Sequence, residues 1–133
     1  MRVVIDTNVL VSGLLSPYGA AAQIVRMVAA GSLDLLYDAR IISEYEEVLS
    51  RPKFSFKKTH IDNLIEFITN YGIPVAAIPL FMHLPDPDDA PFLEVATSGK
   101  AECLITGNTA HYPMKSGHKT RVLTPRRFLN RYF

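Results

Sequence analysis

The sequence predicts a doubly wound α/β fold built on a mostly parallel sheet of about five strands. Short apolar runs alternate with helical patterns along the chain, as in consecutive βαβ units. The first run, at 2–5, is apolar at consecutive positions, which is typical of a strand buried on both faces. The 133 residues match the length of one domain, and we expect a single domain over residues 1–133.

The first half of the chain contains strand and helix patterns in alternation. Strands are predicted at 2–5, 33–37 and 73–78. Helices are predicted at about 18–30, with Gly31 as its C-cap, then from Asp38 to about Arg51, and at about 57–71. The second of these helices carries apolar residues at helical spacing, namely Ile41, Ile42, Tyr45, Val48 and Leu49.

The second half begins with a proline-rich stretch. Four prolines and three aspartates between 79 and 91 predict an extended loop. Asp89 is expected to open a helix that reaches Ser98. Strands are predicted at 102–106 and 121–123, with a polar, turn-rich segment between them. Thr124 and Pro125 are the expected N-cap and first residue of the last helix.

Polar side chains follow several of the predicted strands. Asp6 directly follows the first strand, Asp86, Asp88 and Asp89 follow the third, and Asn108 follows the fourth after one glycine. Because the carboxyl ends of parallel strands share one edge of the sheet, we expect these side chains to meet there. Two alternatives stay open: Asp6 could cap only the following turn, and Asp89 could be only a helix N-cap.

A glutamate from the helix after the second strand could join this group. On a helical wheel Glu44 and Glu46 each lie roughly 100° from the apolar stripe, and Glu47 lies opposite it. Periodicity does not choose between Glu44 and Glu46. Glu44 could also be an ordinary solvated helix residue.

Carboxylates brought together repel one another, which favours raised pKa values or a bound cation. Oxygen ligands suit Mg²⁺ or Mn²⁺ rather than zinc or copper. Cys103 is the one cysteine, which excludes a multi-thiolate zinc site, and we expect it in the core. The histidines lack metal-ligand spacing, so we expect surface or structural roles for His60, His83, His111 and His118. The chain has no Gly-rich phosphate loop, whereas acid clusters with hard metals commonly perform phosphodiester chemistry.

The chain resembles the PIN domain family along essentially its whole length, in particular the small stand-alone PIN proteins of toxin–antitoxin systems. Four segments carry the resemblance in order: VVIDTNVLVSGLL with Asp6, ISEYEEVLSRPKF with Glu44, PDPDDAPFLEVA with Asp89, and ECLITGNTAHY. The resemblance selects Glu44 over Glu46. The last segment departs from the family pattern, because Asn108 stands where the family usually has a fourth acid.

The resemblance implies a three-layer α/β/α sandwich and a Mg²⁺- or Mn²⁺-dependent endoribonuclease, the toxin of a toxin–antitoxin pair. It implies catalytic roles for Asp6, Glu44 and Asp89, with Asp6, Asp86, Asp89 and Asn108 around the metal. The expected supporting hydrogen-bonding residues are Thr7, Asn8 and Thr106. It also implies a small antitoxin partner and a homodimer. Asn108 favours the alternative of an RNA- or partner-binding module with weakened catalysis. A third class, a phosphoacceptor receiver, fits the length but lacks an acidic pair after the first strand.

Charge is unevenly distributed along the chain, although the formal net charge is only +1. From Lys100 onward there are seven Lys or Arg residues and a single acid, Glu102. We therefore expect RNA phosphates to be contacted from this region, by Lys115, Lys119, Arg121 and Arg126. With no membrane-spanning run and no signal peptide pattern, the expected location is the cytoplasm, without membrane association.

Overall fold

The computed structural model describes residues 1–81, 83–113 and 119–133. These residues contain five strands: β1 (Arg2–Ile5), β2 (Asp34–Tyr37), β3 (Ile73–Pro74), β4 (Cys103–Ile105) and β5 (Arg121–Leu123). All pairings are parallel, in the order β3-β2-β1-β4-β5. The chain direction across the sheet reverses between β1 and β4, so a crevice opens above the carboxyl ends of these two strands.

Helices cover both faces of the sheet. Their ranges are α1 (Thr7–Leu15), α2 (Ala20–Ala29), α3 (Ala39–Leu49), α4 (Lys58–Tyr71), α5 (Ala90–Ser98) and α6 (Pro125–Tyr132). Successive side chains of a strand point to opposite faces, and Val3, Val4 and Ile5 are all fully buried. Both faces are therefore packed, which confirms the predicted three-layer α/β/α sandwich. The free thiol of Cys103 lies in this core, where burial raises its pKa to about 12.

The predicted caps form as expected at two helices. The Asp38 carboxylate accepts a hydrogen bond from the Ile41 N–H at 3.1 Å at the start of α3. The Thr124 hydroxyl oxygen accepts one from the Arg127 N–H at 3.3 Å at the start of α6. These bonds satisfy N–H groups that have no partner within the first helical turn.

The sequence pattern does not predict α1. Val9, Leu10 and Val11 are consecutive and all buried, whereas the exposed residues of α1 include the apolar Leu14 and Leu15, so polarity does not mark the buried side of the helix. A Cβ atom on Gly13 would lie 2.7 Å from Val25 Cγ2 and 2.9 Å from the Ala21 carbonyl oxygen. Gly13 therefore allows α1 and α2 to pack in direct backbone contact.

The third strand is shorter than predicted. The expected strand at 73–78 pairs only through Ile73 and Pro74, after which the Val75 N–H donates to the Tyr37 carbonyl oxygen at 2.9 Å. The chain then leaves the sheet, and the Ile78 N–H donates to the Ser98 hydroxyl on α5. Pro74 lacks an N–H, which suits it to this edge position.

None of the single helices in the described ranges is long and apolar enough to cross a membrane. Only α1 and α2 taken together pass the length and composition test, and they are bent by 100° at the break between them.

Candidate active site

Asp6 lies at the point where the sheet order reverses. It follows β1 directly, and its N–H donates to the Ile105 carbonyl oxygen at the end of β4. The hydroxyls of Thr106 and Tyr112 both donate to Asp6 Oδ2, at 2.8 and 3.2 Å. Burial raises the pKa of Asp6, and the two hydroxyl hydrogen bonds oppose that rise. The side chain makes no capping bond to α1, so the capping alternative does not account for Asp6.

Glu44 reaches this site from α3. The Thr7 hydroxyl donates to Glu44 Oε2, while Glu46 is exposed. Burial raises the pKa of Glu44, and the nearby negative charges of Asp6 and Asp88 raise it further. The structure thus places Glu44, and not Glu46, beside Asp6.

Asp89 is the buried acid of the segment that precedes α5, and its side chain makes no capping bond. Burial raises its pKa to about 6, with a further contribution from the charges of Asp6 and Asp86. Asp86 differs, since its Oδ1 accepts a hydrogen bond from the Asp88 N–H at 2.9 Å and caps the short 3₁₀ turn Pro87–Asp89. Asp86 therefore has a structural partner within its own loop, whereas Asp89 has none.

His111 contacts Asp89 from the segment after β4. His111 Nδ1 lies 3.0 Å from Asp89 Oδ2, which is ion-pair distance, but the contact lacks hydrogen-bond geometry. Apart from this contact with His111, no donor within the described residues reaches the buried Asp89 Oδ2. The predicted surface role fits His60 and His83, which are exposed, and His118 lies outside the described residues. Nothing in the spacing of the histidines predicts the contact made by His111.

The other predicted polar residues are placed at different distances from the acids. Thr7 and Thr106 hydrogen-bond to the carboxylates directly. Asn108 is exposed, and its N–H donates to the Thr106 hydroxyl oxygen at 3.1 Å. Asn8 is also exposed, and its Oδ1 accepts from the Gly107 N–H at 3.4 Å. Asn8 therefore joins the segments after β1 and β4 and is not itself bonded to a carboxylate.

Two buried tyrosines were not among the predicted site residues. Tyr112 donates to Asp6, and burial together with nearby carboxylates raises its pKa well above the usual range. The Tyr45 hydroxyl donates to the Ile5 carbonyl oxygen, directly before Asp6. Tyr45 belongs to the apolar side of α3, and Tyr112 follows a short turn. Neither position carries a sequence signal for a contact with the site, so only the three-dimensional structure identifies them.

The predicted phosphate-contacting residues do not share one surface. Lys119 and Arg121 are exposed near the start of β5, and Arg121 pairs with the first residue of β4. They therefore lie toward the amino edge of the sheet, opposite the carboxylates. Arg126 is exposed in the first turn of α6, which begins at the carboxyl edge. Lys115 lies outside the described residues.

A second acidic pair lies at the carboxyl end of β2 and was not predicted. Arg40 Nη1 donates to Glu94 Oε1 at 2.7 Å, and Arg40 Nη2 donates to Asp38 Oδ2 at 2.7 Å. The other Glu94 oxygen accepts from the Leu80 N–H at 3.1 Å. We call this set of Asp38, Arg40 and Glu94 the arginine bridge. It ties α3 to α5 and to the loop before α5.

The donor set of Asp6, Glu44 and Asp89, which we call the site cluster, fits a hard divalent cation. Its possible ligand atoms are all carboxylate oxygens, and within the described residues Asp89 Oδ2 accepts no hydrogen bond of good geometry. Within the described ranges, no group of three or more His, Cys, Asp or Glu side chains is arranged to hold one ion together. An ion bound here would therefore be held by fewer than three of these side chains, and Mg²⁺ usually takes only one or two carboxylates and keeps several waters.

A family model for the PIN domain matches residues 2–110. The chain therefore belongs to the PIN domain family, and the receiver alternative is wrong. Among solved structures, the fold is similar to that of VapBC2 from Rickettsia felis, determined in complex with a DNA fragment from its promoter. The TM-score is 0.58 and the identity 12%, over 92% of this chain and 98% of the other. No curated protein matches this chain in sequence.

Proposed function

We propose that this PIN-domain protein is a metal-dependent endoribonuclease that hydrolyses RNA phosphodiester bonds. The observation that carries the proposal is the site cluster itself. Three carboxylates from distant segments meet where the sheet order reverses, and the described residues place no Lys or Arg within ion-pair distance of them. The mutual repulsion of these carboxylates is relieved when they bind a divalent cation.

We assign each residue of the site a role according to its surroundings. Asp6 and Asp89 would hold Mg²⁺ or Mn²⁺, with Asp86 and Asn108 at the margin of the site. When bound, such an ion neutralises phosphate charge and lowers the pKa of water. Glu44 would orient the attacking water and accept its proton, a role that suits its raised pKa. Thr7 holds the Glu44 carboxylate in place through its hydroxyl.

RNA phosphates would be contacted beside the carboxylates by Arg126, because the first turn of α6 lies at the same edge of the sheet. Lys119 and Arg121 would act only on RNA that extends toward the opposite edge. Binding would weaken as salt rises, since each phosphate contact releases counterions.

The fold likeness to VapBC2 and the resemblance in sequence favour a toxin that pairs with a small antitoxin protein. We further propose a homodimer that acts in the cytoplasm. Co-expression with a candidate antitoxin, followed by purification of the complex and measurement of its mass in solution, tests both the pairing and the dimer.

A second candidate function is an RNA- or partner-binding module with weak or absent catalysis. Asn108 favours it, because an exposed neutral amide replaces the acid that the family usually has. A protein of this kind would bind single-stranded RNA and would not cleave it.

The decisive experiment follows cleavage of end-labelled RNA with Mg²⁺, with Mn²⁺ and with EDTA. We expect cleavage with either ion, none with EDTA, and a loss of at least about 100-fold in Asp6→Asn. The control is Glu66→Gln, which changes an exposed acid on α4 and should cleave like the wild type. RNA binding without cleavage in any metal would support the second candidate instead.

A further inference from the structure

We infer that Tyr112, together with Thr106, fixes Asp6 as a one-oxygen ligand and so selects Mg²⁺ or Mn²⁺ over Ca²⁺. The inference rests on the proposed metal site and assigns this chain a selectivity-determining positioning residue. Tyr112 lies beyond residues 2–110, where the match to the PIN domain family ends.

Both hydroxyl donors converge on one atom. Thr106 and Tyr112 are almost completely buried, and each donates to Asp6 Oδ2. The direction of the Thr106 hydroxyl is itself set, because its oxygen accepts the Asn108 N–H at 3.1 Å. The proton of Thr106 is thus left to point at Asp6. Two donors occupy the lone pairs of Oδ2, and Oδ1 receives neither of these bonds.

The short turn after Asn108 places Tyr112. The His111 N–H donates to the Asn108 carbonyl oxygen at 3.2 Å, and the Tyr112 N–H donates to the Thr109 carbonyl oxygen at 3.1 Å. This 3₁₀ turn, Thr109–His111, directs the phenol inward to the carboxylate. Asn108, which cannot offer a negative charge, therefore begins a segment that offers hydrogen-bond donors to the site.

A carboxylate held in this way distinguishes between hard cations. Ca²⁺ takes six to eight oxygen ligands and often binds both oxygens of one carboxylate, whereas Mg²⁺ requires octahedral geometry and uses few protein ligands. For Asp6 to bind an ion through both oxygens, Oδ2 must give up at least one of its two buried hydrogen bonds. That cost falls on Ca²⁺ far more than on Mg²⁺ or Mn²⁺.

The test compares Tyr→Phe variants of the full chain by titration calorimetry with Mg²⁺, Mn²⁺ and Ca²⁺. Tyr112→Phe removes one donor from Oδ2. Tyr132→Phe is the matched control, because the buried Tyr132 hydroxyl has no hydrogen-bond partner in the part of the chain that the structure describes. We expect Tyr112→Phe to weaken Mg²⁺ binding about 10-fold or more, the usual effect of losing an outer hydrogen bond to a ligand. Ca²⁺ binding should change less, so the preference for Mg²⁺ falls by a similar factor.

Melting curves recorded in EDTA separate selectivity from stability. A role in packing alone would lower the melting temperature of Tyr112→Phe and leave the ratio of the Mg²⁺ and Ca²⁺ dissociation constants unchanged, which would overturn the inference. If Tyr112→Phe does not fold, Thr106→Val removes the other donor and is expected to shift the same ratio. Wild-type protein that prefers Ca²⁺ would also overturn it, and wild-type protein that binds no ion would overturn the proposed metal site first.

Discussion

Two groups of acids occupy the carboxyl edge of the same sheet, and they differ in what surrounds them. In the arginine bridge, one guanidinium pairs with both Asp38 and Glu94, at 2.7 Å each. In the site cluster, the carboxylates are met by hydroxyls and by the half-exposed His111. The acids of the arginine bridge have a positive charge of the chain itself, Arg40, beside them. The acids of the site cluster have no Lys or Arg partner among the described residues, so their counter-charge has to come from a bound ion.

Acids of the two groups differ in their hydrogen bonds even where their burial is equal. Glu94 and Asp89 are both buried, at 8% and 9% exposure, so burial alone does not distinguish them. Glu94 uses both oxygens in hydrogen bonds, to Arg40 and to the Leu80 N–H. Asp89 Oδ2 is approached only by the half-exposed His111 among the described residues, at 3.0 Å and without hydrogen-bond geometry. The two acids therefore differ in how fully their oxygens are hydrogen-bonded.

The largest expected effect is the response of the site cluster to a cation. Mn²⁺ at about 100 times its dissociation constant should stabilise the native state by about 2.7 kcal/mol and raise the melting temperature by several degrees. Asp6→Asn should remove most of this response and leave the protein folded, because it deletes one of the repelling charges. If millimolar Mn²⁺ does not change the wild-type melting temperature, the acids of the site cluster, like those of the arginine bridge, have only a structural role.

The arginine bridge should behave in the opposite way. Arg40→Met leaves Glu94 buried without its cation, and we expect the free energy of unfolding to fall by about 2 to 3 kcal/mol, less than for a fully buried pair because Arg40 is 47% exposed. Urea denaturation measures the change. The control Lys58→Met breaks the exposed pair with Asp62 and should leave the free energy of unfolding nearly unchanged, because water screens that pair. If Mn²⁺ raises the melting temperature of Arg40→Met as much as that of the wild type, the arginine bridge and the site cluster act independently.

Asp89 should also make stability depend on pH in metal-free buffer. Its pKa is raised to about 6 in the folded state, against an ordinary value near 3.9, so the folded state binds more protons between these limits. Stability therefore decreases as pH rises from about 4 to about 6 and levels off above, by about 2 kcal/mol in total. Asp89→Asn should flatten this part of the curve. Equal slopes in both proteins, measured by urea denaturation in EDTA, would argue against a buried, unneutralised Asp89.

The smallest expected effect concerns position 108. Asn108→Asp adds a charge to the site cluster, but the position is exposed, and water screens charges there. We expect Mn²⁺ affinity to rise about 3- to 10-fold, with faster RNA cleavage at limiting metal. Cleavage rates measured across a metal titration check both. An unchanged or lower rate would show that residue 108 does not face the metal.

The fold could largely be predicted from the sequence in the segments with clear hydrophobic periodicity and clear capping residues. The buried strand at 2–5 and the caps at Asp38 and Thr124 follow from local chemistry alone. Helix α1 was not predicted because it has apolar residues on its exposed side, Leu14 and Leu15, as well as on its buried side. The strand at 73–78 was predicted too long because apolar residues also line an edge segment that leaves the sheet.

The candidate site could be predicted from the sequence only in part, for a different reason. Acids that follow strands can be located from the order of elements, so Asp6 and Asp89 could be found from the chain alone. Tyr112, His111 and Arg40 act through contacts that cross 106, 22 and 54 positions of the chain. No local pattern encodes such contacts, and the fold is needed to see them.

The central position of β1 has a consequence for how the protein is made. Asp6 is synthesised well before its partner Thr106, which lies 100 residues further along the chain. At about 5 to 20 residues per second, translation separates the two by roughly 5 to 20 s. During that interval β1 lacks its neighbour β4, and the nascent chain holds isolated carboxylates with no assembled site. In this order of synthesis, Asp6 acquires its hydrogen bonds from Thr106 and Tyr112 only after the segment that follows β4 has been translated.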